Sequence, residues 1–167
     1  MQRLAPILLI TIVMLVMAGC LKKEDFPDIP HITYEQTVLN QTPISEADSL
    51  GYVRFRFTDG DGDLGLNAGD TLGEFAPGQP YFYNLFVRYF EKQNGQYVEF
   101  LPVFPFHSRF LNLTPEGGDK SLQGIMEAGV FARPGSPFDT VRYEIYIVDR
   151  ALNHSDTIVT EDIILPF

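Results

Sequence analysis

Tyr52-Val53-Arg54-Phe55-Arg56-Phe57-Thr58 is the stretch that decides the fold. Val53, Phe55 and Phe57 share one side of an extended chain and Arg54 and Arg56 the other. That period of two belongs to a strand with one buried face. The alternation returns in Val141–Val148, which sets Val141, Tyr143, Ile145 and Ile147 inward. Between them Tyr83–Phe90 reads as a strand, with Tyr83, Leu85, Val87 and Tyr89 in line. Asn94-Gly95 follows as a hairpin turn, and Gln96–Leu101 is the return strand. A turn at Ala151–His154 leads to a last strand in Asp156–Leu165, and weaker strand signals lie at Ile32–Leu39 and Leu122–Val130. Pro102, Pro105, Pro115, Pro134 and Pro137 confine the middle of the chain to loops and edges, because proline cannot donate to a ladder. No long helical period is present; a short helix is expected at Ile44–Asp48 or in the 115–121 region. About seven short strands with frequent turns predict an all-β sandwich.

Composition narrows the function. The 167 residues are 45% hydrophobic and 20% charged, with 14 Phe and 8 Tyr, which argues for a packed core and against disorder. That length predicts one folded domain, set at 31–167. Twelve Lys+Arg against 22 Asp+Glu give a net charge of -10. Nucleic acid is therefore excluded as a partner, since phosphate binding needs a basic footprint. A single cysteine excludes a disulfide framework and a CxxC site. His31, His107 and His154 lack ligand spacing, so zinc is not expected. No Gly-x-Ser-x-Gly elbow and no phosphate loop occur. The expectation is a protein that is not an enzyme.

The N-terminus carries an address. Arg3 precedes the apolar run Ile7–Met17, and Met17-Ala18-Gly19 is a small-residue approach to cleavage, as in an export signal. The run is short for a membrane span of about 20 apolar residues; the alternative is an uncleaved anchor helix. Leu15-Val16-Met17-Ala18-Gly19-Cys20 resembles the lipobox of bacterial lipoproteins, with Met17 where Leu is commoner. The resemblance implies that residues 1–19 are removed and that Cys20 is acylated as the first mature residue. Buried acyl chains contribute about 0.8 kcal/mol per CH₂, enough together for durable anchoring. Residues 20–30 then form the lipidated tether. Lys23-Glu24-Asp25, a Lys followed by two acids, also resembles the surface-export signal of Bacteroidota lipoproteins. It implies an outer-membrane protein facing the cell exterior; the alternative is a solvated linker facing the periplasm.

Chemistry concentrates in Asp59-Gly60-Asp61-Gly62-Asp63-Leu64-Gly65-Leu66-Asn67-Ala68-Gly69-Asp70. Alternate aspartates can converge if the glycines let the chain curl, and hard oxygen ligands suit Ca²⁺. The loop resembles the calcium loop of EF-hand and dockerin proteins, with Asp59, Asp61, Asp63 and Asp70 at its first, third, fifth and twelfth positions. It departs where that loop has its glycine, since Leu64 stands there and Gly65 comes one residue late. A strand also precedes it, so it is read as a calcium loop of similar local type on a β scaffold. The alternative is an acidic turn that binds nothing.

If Tyr52–Thr58 and Val141–Val148 are strands B and F of an immunoglobulin-like or fibronectin-like sandwich, the loops after them share one end. Asp149 or Asn153 then either adds a ligand or caps its turn, while Arg150 could neutralise the acids instead. Val148–Ser155 resembles the turn between strands F and G in bacterial Ig-like domains, where such an Asp commonly caps. Tyr81-Phe82-Tyr83 and Phe100, Phe104, Phe106 and Phe110 are either core filler or a face for a glycan. As a whole the chain resembles small Bacteroidota outer-membrane lipoproteins with an Ig-like or fibronectin-like domain and a DGDGDLG loop. That resemblance implies location and fold and leaves activity open. Two functions follow as expectations: a membrane-anchored binding or accessory module with a protein or glycan ligand, or a glycan-binding helper of a nutrient uptake system.

Overall fold

The computed structural model describes residues 25–40, 49–114, 120–133 and 135–165. Cys20, the signal stretch, the expected helix at Ile44–Asp48 and most of the 115–121 region lie outside the described residues. The described residues form eight strands: β1 (His31–Leu39), β2 (Ser49–Asp59), β3 (Leu85–Gln93), β4 (Gln96–Phe100), β5 (Leu122–Phe131), β6 (Thr140–Ile147), β7 (Ile158–Val159) and β8 (Ile163–Ile164). The expected last strand is thus two short ones, separated by Thr160–Asp162.

The strands make two antiparallel sheets, ordered β1-β2-β5 and β4-β3-β6-β7, with β8 also on β6. This is the sandwich expected from the alternation: β2, β3 and β6 stand where strands B, C and F stand in the immunoglobulin class. Val53, Phe55 and Phe57 of β2 and Val141, Tyr143, Ile145 and Ile147 of β6 are buried in one core. Each such side chain contributes roughly 1.5–3 kcal/mol by leaving water. Tyr143 lies near the start of β6, and its hydroxyl donates to the Phe131 carbonyl at 2.8 Å. That bond ties the end of β5 to the other sheet, as a tyrosine corner does.

The aromatic run divides. Phe100, Phe106 and Phe110 pack against the core, whereas Phe104 is 84% exposed. On the outer face of the four-strand order, Arg88 bridges Glu99 at 2.7 Å and Glu144 at 2.8 Å. Phe90 is buried under the guanidinium groups of Arg88 and Arg142. Hydrophobic residues therefore lie on both faces of β3, which is why its buried pattern runs nearly unbroken.

Register fixes where the loops go. Thr58 pairs with His31 and Asp59 with Leu122, while Leu85 pairs with Ile147. The starts of β1, β3 and β5 and the ends of β2 and β6 thus gather at one end of the sandwich.

Candidate metal centre

The inward rows of the two sheets both end on an aspartate. Along β2 the row Val53, Phe55, Phe57 continues to Asp59, which is fully buried. Along β6 the row Val141, Tyr143, Ile145, Ile147 continues to Asp149, which is 1% exposed. Asp63, in the loop after β2, comes between them. Carboxylate oxygens of Asp59, Asp63 and Asp149 lie within 4.8 Å of one another, a group that can hold a metal ion.

Each carboxylate is aimed by backbone hydrogen bonds. Asp59 Oδ2 accepts the Asp63 amide at 3.1 Å, closing the arc between them. Asp63 Oδ2 accepts the Ala151 amide at 3.0 Å, and its carbonyl accepts the Arg150 amide at 3.3 Å. Asp149 Oδ1 accepts the Asn153 amide at 2.7 Å and Oδ2 the Asn153 side-chain amide at 2.8 Å. Asp149 therefore caps its turn and faces the trio at once. Asn153 orients Asp149 through that side-chain amide.

Two oxygens are left over. Asp59 Oδ1 and Asp63 Oδ1 are buried with no hydrogen-bond partner. A buried polar atom without a partner carries its full desolvation cost, more so when charged. Accordingly the Asp59 carboxyl is pushed up to about 7, by burial first and then by Asp61, Asp63 and Asp149. Asp63 is pushed up to about 6 by burial, Asp149 and Asp61. Asp149 is raised as well, chiefly by burial. A divalent cation would supply both missing partners.

Not every acid of the loop joins. Asp61 is exposed and stands outside the trio, although its charge reaches it. Asp70, expected as a ligand, is instead paired with Arg150 and accepts the Asn67 amide at 2.7 Å. Those bonds hold its carboxyl below the usual range, the Arg150 bond most. The expected EF-hand-like set of four thus becomes a trio shared by two loops. The reason lies in Leu64 and Leu66, 0% and 1% exposed, which plug the end of the core. Gly65 between them adopts φ +89, a left-handed conformation that glycine enters freely. Leu66 then bridges to Leu111, and the chain beyond is carried away from Asp59.

Two supports escaped the sequence reading. Asn84 is buried, donates to the Phe110 carbonyl at 3.0 Å and accepts its amide at 2.8 Å. Arg109 donates to the carbonyls of Phe82 at 2.9 Å, Asn67 at 3.0 Å and Asp70 at 2.7 Å. Neither has a motif, because their partners are backbone groups distant in sequence. The trio did leave a signal: Asp59 and Asp149 each extend an inward period-two row by one step. The histidines are engaged elsewhere, His31 with Asp156, His107 with the Val87 amide and His154 with Tyr81.

No protein-family model, no curated protein and no solved structure matches this chain. Among the described residues, no helix is long and apolar enough to cross a membrane.

Proposed function

We propose that this chain is a non-enzymatic, membrane-anchored lipoprotein, its sandwich a binding or accessory module stabilised by Ca²⁺ on Asp59, Asp63 and Asp149. The observation that carries the metal is the pair of buried, unpartnered oxygens, Asp59 Oδ1 and Asp63 Oδ1, within a trio spanning 4.8 Å. Oxygens held about 2.4 Å from one ion are at most about 4.8 Å apart, and Ca²⁺ accepts such irregular carboxylate sets. An all-oxygen trio disfavours zinc and copper, which prefer nitrogen and sulfur. Water would complete the shell. The anchor rests on the lipobox-like stretch ending in Cys20, and the tether charge favours the outer membrane's exterior face.

Calorimetric titration with Ca²⁺ tests the metal, with Mg²⁺ and Zn²⁺ as controls. Saturable heat with Ca²⁺ alone is expected; no heat with Ca²⁺ overturns it. Labelled fatty acid tests the anchor: incorporation is expected in the full chain and none in Cys20→Ser.

A glycan-binding role is the second reading. It is favoured by a cleft of about 260 Å³ lined by Phe100, Phe106, His107 and Tyr146 together with Arg88 and Glu99. Aromatic walls beside charged groups suit a sugar ring's apolar face and hydroxyls. A glycan array that stays uniformly silent removes this reading.

A further inference from the structure

We infer that the metal loop is a clasp for the incoming tether: an ion on Asp59 and Asp63 holds their arc shut, and the closed arc fastens Phe26-Pro27 against Gly60. The inference rests on the metal reading above and adds to it a mechanical consequence. Gly60 lies inside the arc, next to Asp59, and its amide donates to the Pro27 carbonyl at 2.8 Å. Its backbone approaches so closely that an added Cβ would stand 2.2 Å from the Phe26 carbonyl oxygen. Its φ lies outside the left-handed range, so the missing side chain serves that approach and not a special turn. Ser121 Oγ donates to the Gly60 carbonyl at 3.3 Å, holding the arc from the β5 side. Beyond the clasp the strap enters the sandwich through Pro30 and Ile32, both buried, with the Ile32 amide on Asp156 Oδ1 at 2.9 Å.

Within the arc the Asp63 amide donates to Asp59 Oδ2. Two carboxylates at its ends repel when no cation lies between them, and that repulsion drives the arc open. Asp59 is held at the end of β2 by its pairing with Leu122, so the arc swings from Gly60 onward and releases Pro27. Cys20 lies six residues before Phe26, and a chain extends at most about 3.5 Å per residue. With a lipid on Cys20, the closed clasp keeps the metal end within about 21 Å of the anchor, and opening it frees the strap as far as the buried Pro30, which lengthens that reach to about 35 Å at the same end of the sandwich.

The chain has no Trp, so Phe26→Trp in the full chain gives a single fluorescent probe on the strap. Calorimetry on the same protein reports Ca²⁺ binding independently. Ca²⁺ is expected to shift the emission to the blue and to reduce acrylamide quenching, and EDTA to reverse both. In the wild-type chain Ca²⁺ is expected to slow Gly60 amide exchange by about tenfold or more. Adding Gly60→Val to the probe should abolish the emission shift while Ca²⁺ heat persists, with affinity weakened by up to about the same tenfold, because the coupling is reciprocal. Ca²⁺ heat with unchanged emission and unchanged Gly60 exchange overturns the clasp and leaves the metal standing. Absence of Ca²⁺ heat overturns the metal reading, and the clasp falls with it.

Discussion

Replacing Asp59 by Asn should change the stability of this protein in opposite directions with and without Ca²⁺. Without metal, the Asp59 carboxyl sits at about 7 in the folded chain against 3.8 for the free group. The folded state therefore holds more protons than the unfolded state between those values, and its stability falls as pH rises through them. From pH 5 to pH 8 the loss is about 3 kcal/mol from Asp59 and about 1 kcal/mol from Asp63. Coulomb's law gives the same scale: two carboxylate oxygens within 4.8 Å of each other repel by about 3 kcal/mol or more at an effective dielectric of 20. Domains of this size are stable by only about 5–15 kcal/mol. A loss of about 4 kcal/mol lowers Tm by roughly 8–16 °C. Scanning calorimetry in EDTA at pH 5, 6, 7 and 8 should show that fall in the wild-type chain. Asp59→Asn, which removes the buried charge and keeps the shape, should flatten most of it. Ca²⁺ at about a thousand times its Kd adds about 4 kcal/mol, so the wild-type Tm should recover at pH 8 while the variant's stays put. A wild-type Tm in EDTA that holds steady or rises from pH 5 to 8, and equals that of the variant, refutes the reasoning.

Four further variants separate the roles of individual residues. Arg150→Ala breaks a partly exposed pair with Asp70 and should lower stability in denaturant unfolding only slightly, as surface ion pairs do. Calorimetric Ca²⁺ affinity should stay within a few-fold in Asp70→Asn; a loss beyond about tenfold would return Asp70 to the ligand set. Leu64→Ala empties a fully buried site under the loop and should cost about 2–5 kcal/mol, with weaker Ca²⁺ binding as the arc loses its floor. Tyr143→Phe removes the hydroxyl bond to the Phe131 carbonyl, for a loss of about 0.5–1.5 kcal/mol with an unchanged m value.

Strand alternation is why so much of the sandwich was legible. A period of two needs no partner to be seen, and Tyr52–Thr58 and Val141–Val148 carry it openly. β3 was legible only in part, since Phe86 and Phe90 are covered on its outer face and blur the alternation. The end of the chain reads as one strand because Ile158, Val159, Ile163 and Ile164 are all β-formers. Its interruption is set by Thr160, whose amide donates to the Tyr143 carbonyl while its Oγ accepts the Tyr143 amide. A contact of that kind leaves no trace in composition.

The acidic loop divides along the same line. By itself the sequence determined that Asp59, Asp61, Asp63 and Asp70 crowd one loop. It also placed Asp149 on the turn after the other alternating strand, because strand parity and turn chemistry are local properties. Only the tertiary structure decided which acids meet. Burial of Leu64 and Leu66 swings the later loop outward, Arg150 takes Asp70, and the packing of two sheets brings Asp149 to Asp59 and Asp63. Convergence of side chains from separate sheets depends on how the core closes, and no spacing along the chain encodes that distance.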